Sequence, residues 1–320
     1  FGALAEASGE PVEEVMSGFL DQPGAPLVTV ELDESTCEEG KPKLRLQQTR
    51  YLPAGSQADA GEPWQIPMCI WYAQEDGEKT EECFLFDGTE DAPRRDTVTL
   101  ETDSCPTVVH PNADEKGYYH WRVRPDALRE NLVDRREQMS LSERVALLGH
   151  FKAAVRADKM PVETYLSTLE GMAGEEHRLI VEEVIDTLFG LEKTVYEGEP
   201  TDAFRSWAGR IIEPHLQRIG FEQKTDEPVA DKLLRPDIVK AAANLAGDEA
   251  VRQQAAKVTQ KYLKDPKSVP HATAKYALDI AARYGDAKLW KQFRTALDEA
   301  PSPTIRVQIL DAIGYFKEPK

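Results

Sequence analysis

From Leu27 onward the hydrophobic period of this chain changes once, near residue 125, and that switch constrains the fold more than any motif does. Before it, apolar residues alternate with polar ones, the period of a strand with one buried face. After it, they recur every three or four residues, the period of an amphipathic helix. "LVTVEL" places Val28, Val30 and Leu32 on one face, and "KLRLQQTRYL" separates Leu44 and Leu46 from Arg45, Gln47 and Thr49. "WQIPMCIWYA" aligns Ile66, Met68, Ile70 and Tyr72, and Asp76-Gly77 supplies a hairpin turn before "ECFLF". "TVTLET" and "TVVHP" add two short strands. Short strands with Gly, Pro and Asp between them and no helices among them predict an antiparallel β-sandwich.

Past Pro125 the segment "SLSERVALLGHFKAAVRAD" opens on Ser140 with Glu143 three residues later, a capping box. From Asp237 onward, helical segments recur at regular spacing. Their apolar stripes are Val251, Ala255, Val258 and Tyr262, then Ala277, Ile280 and Tyr284, then Ile305, Ile309 and Ile313. Gly247, Pro266, Gly285 and Pro301 fall in the connections. Regular helix spacing predicts an α-α superhelical array of the HEAT or armadillo kind, with a concave surface. The expected class is therefore multidomain, β and then α.

Composition narrows the partners. The chain has 320 residues, with 57 acidic and 39 basic side chains and a net charge of -18. Such a field repels phosphate backbones, so no nucleic-acid partner is expected. No apolar run approaches the ~20 residues that span a bilayer, so no membrane span is expected. The opening "FGALAEASGEPVEEVMSGFLDQPGAP" reads as an interior piece of a longer polypeptide. Val12, Val15, Met16 and Phe19 make an apolar stripe on one short helix that has little to pack on.

Cys37, Cys69, Cys83 and Cys105 have no CxxC spacing, so neither a zinc ribbon nor a redox motif is indicated. Cys69 and Cys83 flank the hairpin turn and can form a cross-strand disulfide, leaving Cys37 to pair with Cys105. Four reduced, buried thiols are the alternative. An even count confined to one domain tilts the reading towards a periplasmic or secreted setting over a cytoplasmic one.

Catalytic motifs are missing from the sequence. It contains no HExxH, GxSxG, GxxxxGK[ST] or GxGxxG. His110, His120, His150, His177, His215 and His271 stand singly and read as structural or solvated side chains. The stretch "PNADEKGYYHWRV" reads as a turn at Asn112, Asp114 and Gly117 followed by a strand. Tyr118 and His120 would face one way, and Tyr119, Trp121 and Val123 the other. Its aromatic residues are expected to brace the sandwich against the helices.

Several of these segments, in order, resemble the C-terminal half of the aminopeptidase N family of zinc metallopeptidases (peptidase family M-one). Val15-Met16 and Gln22-Pro23-Gly24-Ala25-Pro26 resemble the end of that family's catalytic domain, and "PLVTVEL" its first sandwich strand. Gln48-Thr49-Arg50-Tyr51, Trp64-Gln65-Ile66-Pro67, and Asn112 with Gly117-Tyr118-Tyr119 resemble later strands. The resemblance implies three parts. Residues 1–26 would be the last helix of an upstream catalytic domain, 27–124 the sandwich, and 125–320 the helical-repeat domain, cut short at its end. It also implies a parent protein that removes N-terminal residues from peptides through a zinc-bound water. This part would be non-catalytic, spacing and capping the active site and gating peptide access. Its partners would be the upstream domain and peptide substrates. No catalytic, cofactor-binding or metal residue carries over to these positions, and the zinc is expected upstream. A stand-alone helical-repeat scaffold is the alternative.

Overall fold

The computed structural model describes residues 1–75, 77–87, 94–124, 133, 135–195 and 200–317. Asp76 of the expected hairpin turn, the junction at Pro125 and the terminal Pro319-Lys320 lie outside the described residues. The chain forms two compact units, Phe1–Gly171 and Met172–Lys320.

The first unit opens with two short helices, α1 (Gly2–Ser8) and α2 (Val12–Leu20). Pro11 precedes the first turn of α2, and Glu13 and Glu14 lie in that turn, where the helix dipole favours negative charge. Of the apolar stripe, Val15 is buried, and Val12, Met16 and Phe19 are half-buried. Seven strands follow: β1 (Pro26–Asp33), β2 (Lys43–Arg50), β3 (Ile66–Ala73), β4 (Lys79–Phe86), β5 (Arg95–Thr99), β6 (Val108–His110) and β7 (His120–Arg122). They form two sheets, ordered β5-β2-β1-β7 and β4-β3-β6.

The expected alternation holds. Val28, Val30, Leu44 and Leu46 of the first sheet are buried, as are Ile66, Met68 and Ile70 of the second. One feature of the expectation is corrected: the first sheet is mixed, because β7 runs parallel to β1, with Leu27 opposite His120 and Thr29 opposite Arg122. A tight hairpin enforces antiparallel pairing, but β7 arrives after the excursion from β6 in the other sheet and is free of that constraint.

A side chain completes the sheet network where the backbone cannot. Gln48 continues the buried face of β2 and is fully buried. Its Nε2 donates to the Trp64 carbonyl at 2.8 Å, and the Trp64 N–H donates to its Oε1 at 2.8 Å. The amide thus acts as a strand partner for the backbone entering β3, which would otherwise be buried without hydrogen bonds. Both cysteine pairs are joined. Cys69 and Cys83 lie directly opposite in the β3–β4 register, and Cys37, just after β1, bonds to Cys105, just before β6. Their sequence separations of 14 and 68 residues correspond to about 3 and about 4 kcal/mol of lost unfolded-chain entropy.

Among the described residues this unit also includes the helices α3 (Leu141–Arg156) and α4 (Val162–Gly171). The capping box is present: Ser140 Oγ accepts from the Glu143 N–H at 3.3 Å, and Glu143 Oε2 accepts from the Ser140 N–H at 2.7 Å.

The second unit is helical: α5 (Arg178–Val195), α6 (Asp202–Ile219), α7 (Val229–Asn244), α8 (Glu249–Lys264), α9 (His271–Arg283), α10 (Ala287–Asp298) and α11 (Pro303–Ile313). Thr201, Asp248, Asp286 and Ser302 each cap an N-terminus by accepting a backbone N–H two or three residues into the helix. Sequential neighbours pack in series, α6 on α7, α8 on α9 and α10 on α11. Helix α7 starts eight residues before the expected Asp237, with Pro236 inside it. The proline forfeits one backbone hydrogen bond, but Leu234, Ile238, Val239 and Ala242 are buried on both sides of it, and that packing carries the helix through. Of the expected stripes, Tyr284 is corrected to partly exposed, with the Arg252 guanidinium 3.9 Å from its ring centre. No described helix is long and apolar enough to cross a membrane.

Replacing Gln48 by Ala strands two buried backbone groups and should lower the unfolding free energy of the first unit by about 2 to 4 kcal/mol, measured by urea denaturation.

Candidate functional site

The densest polar and aromatic cluster of the first unit is built by the stretch from His110 to Val123. After β6 the chain turns sharply, with Asp114 and Glu115 at φ of 52° and 57°. Asn112, fully buried, holds this turn. Its Oδ1 accepts from the Gly117 N–H at 2.8 Å, and its Nδ2 donates to the Gly117 carbonyl at 3.0 Å and to Glu115 Oε2 at 3.0 Å. The Tyr119 ring folds back over Gly117, where an added Cβ would lie 2.1 Å from Cε1, so no other residue fits there. The Tyr119 hydroxyl then donates to the Pro111 carbonyl at 2.7 Å. Burial holds its pKa far above the ordinary phenol range. Tyr118 is corrected relative to expectation. It is 74% exposed and touches Phe19 edge-on at 6.0 Å, while Tyr119 and Trp121 carry the packing.

From this turn a ladder of rings crosses the unit. Trp71 stacks on His110 at 5.4 Å, His110 meets Trp121 edge-on at 5.0 Å, and Trp121 lies 5.0 Å from His150 and 5.7 Å from Phe151 on α3. His150 meets His120 at 5.6 Å, and His120 meets Tyr51 at 4.9 Å. Two carboxylates pin the ladder. Glu143 Oε1 accepts from Trp71 Nε1 and from the Asp114 N–H, both at 2.8 Å, while its Oε2 closes the capping box. Glu115 Oε2 lies 2.8 Å from His150 Nε2, and its Oε1 accepts from Trp121 Nε1 at 3.4 Å. One buried residue of α3 therefore fixes the helix start, a strand of the second sheet and the turn before β7.

His110 is fully buried, and its Nδ1 accepts the Asn112 N–H at 3.2 Å, which places the ring proton on Nε2. Burial, with smaller contributions from the charges of His150 and Lys79, pushes its pKa down to about 3. His120 is lowered too, first by burial and then by His150. The buried His110 Nε2, His120 Nδ1 and His150 Nδ1 have no hydrogen-bond partner. They do not converge as metal ligands. Among the described residues the converging set is Cys69, Glu81 and Cys83, whose sulfurs are already bonded to each other. The cluster thus offers no open nucleophile and no open ligand set. What it can do chemically is hold three imidazole rings and two carboxyl groups in a fixed, largely buried arrangement.

The sequence reading treated His110, His120 and His150 as isolated, and the structure brings them together. One signal was available. Glu143 and His150 are seven residues apart, two helical turns, so the capping carboxylate and the histidine share one face of α3. His177 and His215 belong to the second unit, where burial, followed by the Arg218 charge, lowers the His215 pKa. His271 lines a cleft of about 470 Å³ between α9 and α11, together with Lys275, Asp279, Val307, Gln308 and Asp311. Asp279 is bound there by Lys240 at 2.7 Å, and Gln308 by the Tyr262 hydroxyl at 2.8 Å.

Between pH about 3 and about 6.5 the unfolded chain binds a proton at residue 110 that the folded chain refuses. Stability is full above that window and falls as pH drops through it, by up to about 1.4 kcal/mol per pH unit for this group. His110→Gln should remove about one proton from the slope of unfolding free energy against pH, read from denaturation curves over that range.

Comparison with known proteins places these features in a family. Residues 108–320 match the ERAP1-like C-terminal domain family. Aminopeptidase M1-A of Oryza sativa subsp. japonica is 27% identical over 83% of this chain and 29% of its own length. Aminopeptidase 2 of Candida albicans is 22% identical over 99% of this chain and 33% of its own. Tricorn protease-interacting factor F2 of Thermoplasma acidophilum is 24% identical over 98% of this chain and 35% of its own. The chain thus spans about a third of the length of the curated relatives it matches. It belongs to the ERAP1-like C-terminal domain family.

Proposed function

We propose that this chain is the non-catalytic C-terminal region of a zinc aminopeptidase, one that spaces and caps an active site carried elsewhere in the same polypeptide and gates the entry of peptides. The observation that carries this reading is the family match over residues 108–320, together with aminopeptidase relatives three times as long. In this reading residues 1–26 close the catalytic domain, 27–124 form the spacer, and 125–320 form a HEAT-like superhelix. The serial packing of α6 to α11 supports the superhelix. The open cleft between α9 and α11 is a candidate for peptide contact, since it combines charged and amide side chains with the half-exposed Val307.

The residues described here do not fit zinc. Their converging ligand set has its two sulfurs in a disulfide, and a thiolate is needed to bind the metal. No step of peptide hydrolysis is therefore assigned to them. The role left to the chain is geometric: rigid parts whose relative motion sets which substrates reach a catalytic centre, as loops and domains do in many enzymes.

The purified chain should bind less than about 0.1 equivalents of zinc by plasma mass spectrometry and hydrolyse no aminoacyl anilide. The complete gene should encode an HExxH upstream of Phe1. Its full-length product should lose its discrimination among peptide lengths when residues 172–320 are deleted. Metal-dependent turnover by the chain alone, or a gene without the zinc motif, overturns the proposal.

A further inference from the structure

Of the two disulfides, Cys69–Cys83 has a setting that its structural role does not explain. The eight-residue strands β3 and β4 are paired along their whole length, from Ile66 opposite Phe86 to Ala73 opposite Lys79. Cys69 and Cys83 sit in the middle of that register with Cα atoms 4.1 Å apart, so the hairpin keeps them together with or without the bond. Cys37–Cys105 differs. It joins loop residues 68 apart in sequence that are not opposite one another in a strand register, the nearest pairing being Lys43 with Thr99, six residues from each sulfur.

The second observation is a cavity. An open groove of about 500 Å³ runs between α2 and the β3–β4 hairpin, with Val12, Val15 and Met16 on one side and Pro67, Cys69, Cys83 and Leu85 on the other. Cys83 is exposed on the edge strand of its sheet, and Cys69 is half-buried behind it. The charged groups around the sulfurs offset one another. The Glu81 carboxylate is 3.8 Å from Cys83 Sγ but is ion-paired to Lys116 at 2.6 Å, Glu10 lies at the groove's rim, and Lys79 is engaged over the Trp71 ring. What remains is an apolar channel leading to a sulfur, on a chain whose net charge is -18.

We propose that Cys69–Cys83 is a reversible thiol–disulfide exchange site that accepts small, uncharged thiols through the α2 groove. In the forward step the thiolate of the incoming molecule attacks Cys83 Sγ, the bond to Cys69 breaks, and Cys69 leaves as a thiolate that takes a proton from solvent. A second molecule of the same thiol then attacks the mixed disulfide at its own sulfur. Cys83 leaves as a thiolate that takes a proton from solvent, the two electrons pass from the small thiols to the protein sulfurs, and the small thiols leave joined as their oxidised disulfide. Attack is favoured at the exposed sulfur. The groove admits a short apolar body and disfavours glutathione, which would have to shed water from its carboxylates and approach a negatively charged chain. Reduction leaves the strands in register, so the pair closes again by the reverse exchange when the oxidised small disulfide is in excess.

The test uses the full 320-residue chain near neutral pH, with 2-mercaptoethanol and glutathione as separate probes, alkylation at timed intervals and peptide mapping of all four cysteines. Rates are normalised to those of each thiol with a small soluble disulfide. The expected result is that Cys69 and Cys83 become alkylated roughly tenfold faster than Cys37 and Cys105, while near-ultraviolet circular dichroism is unchanged. The normalised rate with 2-mercaptoethanol should exceed that with glutathione by roughly fivefold or more. Val12→Trp, which narrows the groove from the helix side, should slow reduction by 2-mercaptoethanol roughly tenfold without changing the dichroism. Replacing 2-mercaptoethanol by its oxidised disulfide, 2-hydroxyethyl disulfide, should restore the bond. Four results each overturn the proposal: both pairs opening together with loss of tertiary signal, Cys37–Cys105 opening first, equal normalised rates for the two thiols, or a Val12→Trp chain reduced as fast as the parent.

Discussion

The buried carboxylate of Glu143 is the interaction on which the first unit depends. Its three hydrogen bonds go to a helix N-terminus, an indole and a turn amide, so one side chain ties two backbone N–H groups to the side chain of a third segment. A carboxylate with 1% exposure is costly unless its lone pairs are filled, and here they are. Because each bond is charge-assisted, each is stronger than a neutral one. The consequence is geometric. Helix α3 cannot rotate or slide without breaking the bond to Trp71, and Trp71 in turn fixes His110 and the ring ladder behind it.

This explains why a stretch as rich in aromatic residues as "GYYHWRV" need not be a binding surface. Rings packed at 5 to 6 Å with alternating stacked and edge-on contacts fill a joint that must be both apolar and directional. The histidines suit it because a neutral imidazole has the shape of an aromatic ring and still hydrogen-bonds. His110 accepts from Asn112 and stacks on Trp71 at the same time. The cost is sensitivity to acid, since a second proton on His110 or His120 would be buried beside its neighbours.

What was legible in the sequence was local along the chain. The period switch, the Ser140–Glu143 capping box and the inward faces of β1 to β3 all follow from residues a few positions apart, and all are present. The cross-strand cysteine pair was legible because a hairpin makes sequence symmetry into spatial proximity. What was not legible required contacts between distant segments. The parallel docking of β7 depends on how a nine-residue turn folds under Asn112, and the helix through Pro236 depends on apolar packing that outweighs a lost hydrogen bond. The meeting of His110, His120 and His150 depends on both.

The positions that carry the family resemblance have a shared character once their contacts are known. Gln48 supplies hydrogen bonds to the backbone at Trp64, and Arg50 donates to the Asp59 carbonyl at 3.2 Å. Gly24, at φ of 104°, leaves room for the Arg50 side chain, which an added Cβ would meet at 2.8 Å. Asn112 and Gly117 close a turn, and Tyr119 seals it on Pro111. Gln48, Asn112 and Tyr119 satisfy buried backbone, and Gly24 and Gly117 allow a close approach, tasks for which few side chains substitute. The resemblance is therefore strong evidence for a shared scaffold. Differences in what that scaffold admits have to be sought in residues the motifs do not include, such as those lining the α9–α11 cleft and the α2 groove.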